Sequence, residues 1–463
     1  MTDQAGLAPR RAAWEVLQQV AEGRPFDLAL DAALDPLTGA DRRLAHELAA
    51  GTLRAAAVLD RELAPLIPRG LDSVALPIRD LLRIGAYQMM GLDRIPSHAA
   101  VSTSVALARA TGHRKASGFV NAVLRKVALG APKIVPGRGT HPGWLVNRWT
   151  LRFGAEDTAE LLAWNDTRPS LAIQPARWTL EQLRTALTEA GIPVDDAPFG
   201  AGLLPEATRP AELPGFVEGG FIVQDPAQHL VVRFFDLPPG AVVYDACAAP
   251  GGKTIQLGLR AGLVVAGEPR RERIRRLKEN LARAGSGREF PILADASAPP
   301  VRPLDAVVLD VPCLGTGVLA RHPDARWRVS PEALTRLASE AGHLLDAAAD
   351  RVRPGGWLCF STCSLEPEEN EVQIEAFLAR DDRFQRDPGP APAGVVNSAG
   401  DLQLLPHRYG TDGAYATRLK RAGRWPLGNR RPSRHDPGSS SPGSWSPPPP
   451  RAMWHRWRCT RPR

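Results

Sequence analysis

The sequence predicts a multidomain chain: an all-α N-terminal domain followed by a Rossmann-like α/β domain on a doubly wound parallel sheet. Three observations predict it. From residue 8 to about 130, apolar residues recur only at helical spacing. From Phe235 to Arg421, strand-like runs at 242–246, 263–267, 290–294, 306–310 and 356–361 alternate with helical patterns such as Arg270–Ala284 and Pro331–Val352. That alternation is the signature of βαβ units. The stretch Ala241–Thr254, AVVYDACAAPGGKT, reads as a buried strand, a small-residue turn and the start of a helix.

Composition sets the frame for these elements. At 463 residues the chain has room for two to four domains with their own cores. Hydrophobic content of 43% and charged content of 23% suit a soluble globular protein. No apolar run is long enough to span a bilayer and no signal-peptide pattern opens the chain, so the cytoplasm is the expected location and no membrane the expectation. Five cysteines without CxxC pairs argue against a disulfide framework and against a metal site. The net charge of +8 lies entirely in residues 422–463, which hold nine arginines and one acid, Asp436. Residues 1–421 balance at 49 basic against 49 acidic, so any nucleic-acid affinity of the folded body must come from local basic patches rather than net charge.

In the helical part, Trp14, Leu17 and Val20 share one face, as do Leu44 and Leu48. Asp41 is a candidate N-cap, and Pro77 suits the first turn of a helix whose buried face carries Leu81 and Ile84. Ser97 is a candidate cap for a helix with Val101 and Val105, stopping near Gly112. Phe119, Val123 and Val127 line a last helix, with Arg125 and Lys126 off that face. A helical bundle without chemistry of its own is the plain reading. The phrases IPSHAAVSTSVALA and GFVNAVLRK resemble the NusB antitermination family and the NusB-like domain fused to one branch of RNA methyltransferases. That resemblance implies an RNA- or partner-binding module, with Arg10-Arg11, Arg42-Arg43 and Arg114-Lys115 as candidate phosphate contacts.

Gly130–Gly143, rich in Pro and Gly, reads as a linker. Helix is expected from Trp144 to about Ala163, a strand at 171–176 (LAIQPA) and a helix over Leu180–Ala190: a small α/β subdomain. The domain limits expected are 1–135, 144–234, 235–421 and a disordered basic tail, 422–463, where Trp454 and Trp457 sit among arginines.

Within the α/β domain the candidate site residues fall at strand ends, where ligands of such sheets bind. The turn Cys247, Ala248, Ala249, Pro250, Gly251, Gly252 and Lys253 can bring backbone N–H groups to a ligand. Its order is neither GxGxxG nor GxxxxGK[ST], so a dinucleotide or nucleoside triphosphate is not the natural ligand. Glu268 lies 23 residues beyond Asp245 at the next strand end, where an acid can take both ribose hydroxyls. Asp295 follows the third strand. The fourth ends in Asp310-Val311-Pro312-Cys313 and the fifth in Ser361-Thr362-Cys363-Ser364, followed by Glu366, Glu369 and Asn370. A lone cysteine at a strand end is usually a small core residue, which is the reading for Cys359.

This set, in this order, resembles the RNA (cytosine-5) methyltransferases of the RsmB/NOP family, in particular the RsmB/Sun-type ribosomal RNA enzymes with an N-terminal NusB-like domain. The resemblance covers residues 8–421, with Phe221–Leu230 shaping the substrate side of the pocket and the sheet closing with Leu402–Leu405 and Ala414–Leu419, the latter within GTDGAYATRLKR, which resembles the family's final strand. It implies S-adenosyl-L-methionine as cofactor, with Glu268 on the ribose and Asp295 on the adenine. The family more often has aspartate at the Glu268 position, and Leu314 replaces a common serine. Pro-Cys paired with Thr-Cys is peculiar to RNA enzymes. DNA enzymes rely on the Pro-Cys cysteine alone.

The chemistry explains these residue types. C5 of cytosine is a poor nucleophile until a thiolate adds to C6 and makes C5 enamine-like. The resemblance assigns Cys363 as nucleophile and Cys313 to loss of the C5 proton and release. It sets Asp310 against N3 and the exocyclic amine, with Lys253 within reach of the base. The base must be unstacked, so a single-stranded or loop cytidine of small-subunit ribosomal RNA is the expected substrate of a monomeric enzyme. Transfer RNA or another RNA under the same chemistry stays open. So does a non-catalytic RNA-binding or antitermination protein on a methyltransferase fold.

Overall fold

A computed structural model of the chain describes residues 6–130, 132–206 and 209–423. Helices occupy Leu7–Ala21, Phe26–Leu34, Gly39–Arg54, Ala56–Leu63, Leu76–Met90, Ser97–Ala110 and Ser117–Val127. Their apolar faces meet in one core that includes Leu17, Leu48, Leu81, Ile84, Val101, Val123 and Val127, with Trp14, Val20, Leu44, Val105 and Phe119 packed at its edge. The caps differ from expectation. Thr38, not Asp41, precedes the third helix, and Asp41 instead puts its charge into the first turn, where it complements the helix dipole. Pro96 takes the cap position ahead of Ser97, while Pro77 does sit in its helix's first turn. Arg10 is no phosphate contact. It is buried, donating from Nε to Gln88 at 2.7 Å and from a terminal nitrogen to the Gly6 carbonyl at 2.7 Å.

The stretch expected as a linker is packed rather than loose. Ile134 donates its N–H to the Met90 carbonyl, and Thr140 and His141 are buried. The Arg326 guanidinium, fully buried, gathers the carbonyls of Arg54, Thr140 and Asn165 and the carboxylate of Asp166 at 2.7 Å. Trp327 donates to the Leu53 carbonyl at 2.7 Å. The helical bundle, the linker and the α/β part are thus stitched through one short segment after Cys313.

Beyond helices Gly143–Phe153 and Ala155–Asn165, four short strands, β1 (Ile173–Pro175), β2 (Val194–Asp196), β3 (Leu203–Pro205) and β4 (Phe221–Val223), form an antiparallel sheet in the order β2-β3-β1-β4. Helix Leu180–Glu189 covers it, opened by a capping box between Thr179 and Gln182 and burying Leu183 and Leu187. Only β1 was legible as a strand. All four are three residues long, too short to show an alternation, and β1 was legible only through the longer run LAIQPA around it.

The large sheet holds eight strands: β5 (Val242–Asp245), β6 (Leu263–Glu268), β7 (Glu289–Leu293), β8 (Leu304–Asp310), β9 (Val352–Thr362), β10 (Phe384–Arg386), β11 (Leu402–Leu404) and β12 (Ala414–Arg421). Their order is β10-β12-β9-β8-β5-β6-β7, with β11 also on β12. Strands β5 to β9 run parallel, as the alternation predicts, but β10, β11 and β12 pair antiparallel, so the sheet is mixed rather than purely parallel. The reason is local. Helix Glu371–Arg380 precedes β10, whereas β11 and β12 are joined by the short turn around Gly410–Gly413, which suits an antiparallel pair.

Both faces of the parallel part are buried, which is why its strands read as continuous apolar runs. Along β8, Ala306 and Val308 enter the core under helix Pro226–Phe235, while Val307 and Leu309 enter the opposite one, under helices Pro331–Ala349 and Glu371–Arg380. Cys359 is fully buried in the first of these cores, as its reading as a packing residue requires. Among the described residues no helix is long and apolar enough to cross a membrane. Residues 424–463, and with them Trp454, Trp457 and most of the basic tail, lie outside the described residues.

Candidate functional site

The carboxyl ends of β5, β6, β8 and β9 converge on one edge of the sheet. At the end of β5, Asp245 is buried and accepts from Thr254 Oγ1 at 2.6 Å. Burial pushes its carboxyl up to about 6, the Thr254 hydroxyl opposing. The turn that follows is tied to the neighbouring strand by Ala248 N–H on the Gly267 carbonyl, 3.0 Å. Gly251 takes φ 110°, and a Cβ there would stand 2.9 Å from Leu277, so a side chain is excluded both by backbone and by space. The Cys247 thiol is raised by burial and stays a packing thiol.

At the end of β6, Glu268 is 1% exposed, and its carboxylate accepts the Arg270 N–H at 3.0 Å with an Arg273 nitrogen 3.4 Å away. Arg273 also holds the Ala249 carbonyl at 2.8 Å, joining the acid to the turn. Asp295, exposed after β7, accepts the Ser297 N–H at 2.8 Å. Beside the turn, two buried polar atoms have no protein partner: Gln224 Oε1 and the Tyr244 hydroxyl. A buried acid at a strand end, a turn without side chains and orphaned buried polar atoms fit a ligand carrying hydroxyls and amines.

At the end of β8, Asp310 accepts from Lys253 Nζ at 2.9 Å and from Ser361 Oγ at 2.7 Å, and Lys253 also donates to Gln228. The carboxylate is thereby fixed from two elements, and its lysine is held from a third. Three residues on, Cys313 Sγ stands 3.4 Å from Cys363 Sγ, and both thiols are half-buried. Contact with Cys363 and burial hold the Cys313 thiol well above its ordinary value. The loop after Cys313 packs its backbone against the loop after Cys363: Gly317 donates to the Cys363 carbonyl at 2.9 Å and accepts from Gly413 at 2.8 Å. A Cβ on Gly317 would strike both, at 2.8 Å. Thr362 Oγ1 donates to Asn370 at 2.6 Å and Asn370 returns a bond to the Ser364 carbonyl, so the Cys363 loop is closed on itself.

The structure therefore brings Lys253, Asp310, Cys313 and Cys363 together, with the 247–252 turn and Glu268 on the adjoining strand ends and Asp295 one strand further out. Several residues of this region carried no role in the sequence. Arg148 bridges Glu366 and Glu368, Trp149 Nε1 donates to Glu366 at 3.0 Å, and Arg152 holds the Leu365 carbonyl and, at 2.6 Å, Glu371. All three are on helix Gly143–Phe153. Glu369 is 1% exposed and accepts the Leu314 N–H at 2.9 Å. Arg321 joins Asp225 at 2.6 Å to Asp412 at 3.0 Å, and burial pushes the Asp412 carboxyl up to about 7 against the pull of Arg321. An acid-rich loop, EPEENE, and a helix with arginines one turn apart were the only signals, and more than 200 residues separate them.

Comparison with known proteins places this geometry. The model of the 16S rRNA methyltransferase RsmB/F family matches residues 233–420, the NusB family residues 7–129, and an RsmF/B-like ferredoxin-like domain residues 141–207. A probable ribosomal RNA small subunit methyltransferase B from Synechocystis sp. is 33% identical over 445 residues, covering 90% of this chain and 100% of the relative. Ribosomal RNA small subunit methyltransferase B from Pseudomonas putida is 34% identical over 437 residues, covering 89% of this chain and 98% of its own. In fold, the crystal structure of PH0851 matches with a TM-score of 0.80 at 24% identity, over 90% of this chain and 99% of that one. NSun6 from Pyrococcus horikoshii matches with a TM-score of 0.55 at 19% identity, over 60% of this chain and 98% of that one.

Proposed function

The chain belongs to the 16S rRNA methyltransferase RsmB/F family, and from that premise we propose that it methylates C5 of a cytidine in small-subunit ribosomal RNA through a covalent Cys363–C6 adduct. The single observation that carries the reading is the pair of thiols 3.4 Å apart at the ends of adjacent strands, beside a carboxylate held by a lysine. Two packing cysteines would not require that setting.

S-adenosyl-L-methionine, the cofactor of this enzyme family, supplies an electrophilic methyl group on its sulfonium. The residues beside the turn fit it: Cys247, Ala248, Ala249, Pro250, Gly251 and Gly252 would line it, Glu268 would take the ribose hydroxyls and Asp295 the adenine. The Cys363 thiolate adds to C6 of the target base, which raises the electron density at C5. Asp310, steadied by Lys253 and Ser361, holds N3 and the exocyclic amine as charge develops on the ring. After C5 has gained its methyl, Cys313 gives its own proton to solvent and, as the thiolate, takes the C5 proton. The electron pair of that C–H bond re-forms the 5,6 double bond and expels the Cys363 thiolate. RNA contact falls to the 1–135 and 144–234 parts, where Arg11, Arg43, Arg114, Lys115, Arg125 and Lys126 are exposed.

Bisulfite mapping of ribosomal RNA from cells lacking this protein tests the reading. One 16S cytidine should lose its protection and regain it when the protein is restored. An unchanged 16S profile, with protection lost on a transfer RNA instead, would move the substrate. Loss nowhere would remove the activity.

A further inference from the structure

The two thiols of the site touch, so a single proton between them decides which one attacks. Glu369, six residues after Cys363 on the same loop, reaches across and accepts the N–H of Leu314 with both carboxylate oxygens, at 2.9 and 3.3 Å. Leu314 is the peptide that follows Cys313. The acid of the Cys363 loop, itself bonded to Ser364, is therefore anchored on the peptide that directly follows Cys313. We propose that Glu369 is a positioning residue that keeps the shared proton on Cys313 and leaves Cys363 as the thiolate.

The groups around Glu369 support this. Glu366 and Glu368, its neighbours on the loop, are both drawn away by Arg148, and Glu371 by Arg152. Helix Pro331–Ala349 packs against the same turn, while its Arg336 and Glu340 pair with each other on the surface. Ser364 and the Leu314 N–H remain as the donors to Glu369, and no cation is paired with it among the described residues. Burial pushes its carboxyl up to about 7, so it is ionised above neutrality and uncharged below. When ionised it adds to the causes that raise the Cys313 thiol, after Cys363 itself and burial. The carboxylate thereby biases the one proton left between the touching thiols toward Cys313.

The inference rests on Cys363 being the nucleophile, but its test needs neither RNA nor cofactor. The full chain is treated with limiting iodoacetamide, and alkylation of Cys313, Cys363 and Cys359 is read by peptide mass spectrometry. In the unaltered protein Cys363 should react in excess of Cys313, and the ratio should rise as pH is raised through about 7. Glu369→Gln keeps an acceptor for Leu314 but removes the charge, and should cut the ratio about tenfold, the equivalent of about one pKa unit. Glu369→Asp, which keeps the charge, should restore most of it. Buried Cys359 reports folding and should stay unmodified throughout. A ratio unchanged in Glu369→Gln with Cys359 still protected would overturn the proposal. Should the variant expose Cys359, the unaltered protein decides instead, and a ratio flat from about pH 6 to about pH 8 overturns it. Alkylation as expected, in a protein that methylates no RNA, would retire the methyl-transfer reading and leave the proton assignment standing.

Discussion

The two sides of the site are held in different ways. On the β5–β6 side, the turn, Thr254, Glu268 and Arg273 lie within about thirty residues of one another and bond among themselves. On the β8–β9 side, the cysteine loops are held by residues far away in the chain. Arg148, Trp149 and Arg152 reach the Cys363 loop from helix Gly143–Phe153, Arg321 is fixed by Asp225 and Asp412, and Glu369 ties one loop to the other. On the proposed function, the difference follows from what each side would do. A cofactor cradle needs backbone and one acid, which a single βαβ unit supplies. On the proposed mechanism the thiol pair has to be set against a base, and its loop is gripped by residues distant in the chain.

If this division is right, substitutions on the two sides should fail differently. The largest effect belongs to the polar anchor between them: Asp310→Asn should lower kcat by about a hundred- to a thousand-fold, the scale of removing one preorganised charge contact, with S-adenosylmethionine affinity little changed. Steady-state kinetics beside calorimetric titration checks this. Next, Arg148→Ala with Arg152→Ala leaves buried Glu366 without its cation. Turnover should fall about a hundred-fold through displacement of the Cys363 loop, and thermal unfolding should report a loss of about 3 kcal/mol. An equal loss of cofactor affinity would erase the distinction between the sides. Glu268→Ala should do the converse: S-adenosylmethionine binding weaker by about 1.5–3 kcal/mol, cysteine reactivity unchanged.

The smallest effect concerns pH. Glu369 has an ordinary value of 4.5 and is pushed up to about 7 in the fold. Below 4.5 both folded and unfolded chains hold the proton and the group contributes nothing. As pH rises to about 7 the unfolded chain releases its proton first, so stability falls, and above about 7 the loss is complete. Glu369→Gln should remove that slope. Its stability relative to the unaltered chain should improve from pH 5 to pH 8 by on the order of 1–2 kcal/mol, read from unfolding midpoints.

The same division explains what could be read from the sequence. Asp245, the 247–253 turn, Glu268, Asp310 and the two strand-end cysteines were legible because their spacing is local and the strands around them, buried on both faces, are unbroken apolar runs. The grip on the Cys363 loop was not, since nothing in WLVNRWTLR announces a partner more than 200 residues on. Arg10 misled because two adjacent arginines look like a surface patch, and only the fold shows Gln88 opposite one of them. At the antiparallel end the closing strands at 402–405 and 414–419 were legible, but β10, three residues long, was not, and strand direction leaves no mark on an apolar run.

The account stands most directly on which cysteine attacks. Cys363→Ala and Cys313→Ala are each incubated with substrate RNA and S-adenosylmethionine and run on a denaturing gel. Cys363→Ala should give neither methylated RNA nor adduct. Cys313→Ala should still attach and transfer methyl but stall at release, so a denaturant-resistant protein–RNA band should accumulate. Adduct from Cys363→Ala with none from Cys313→Ala would reverse the two roles and contradict the account, as would near-normal turnover in both.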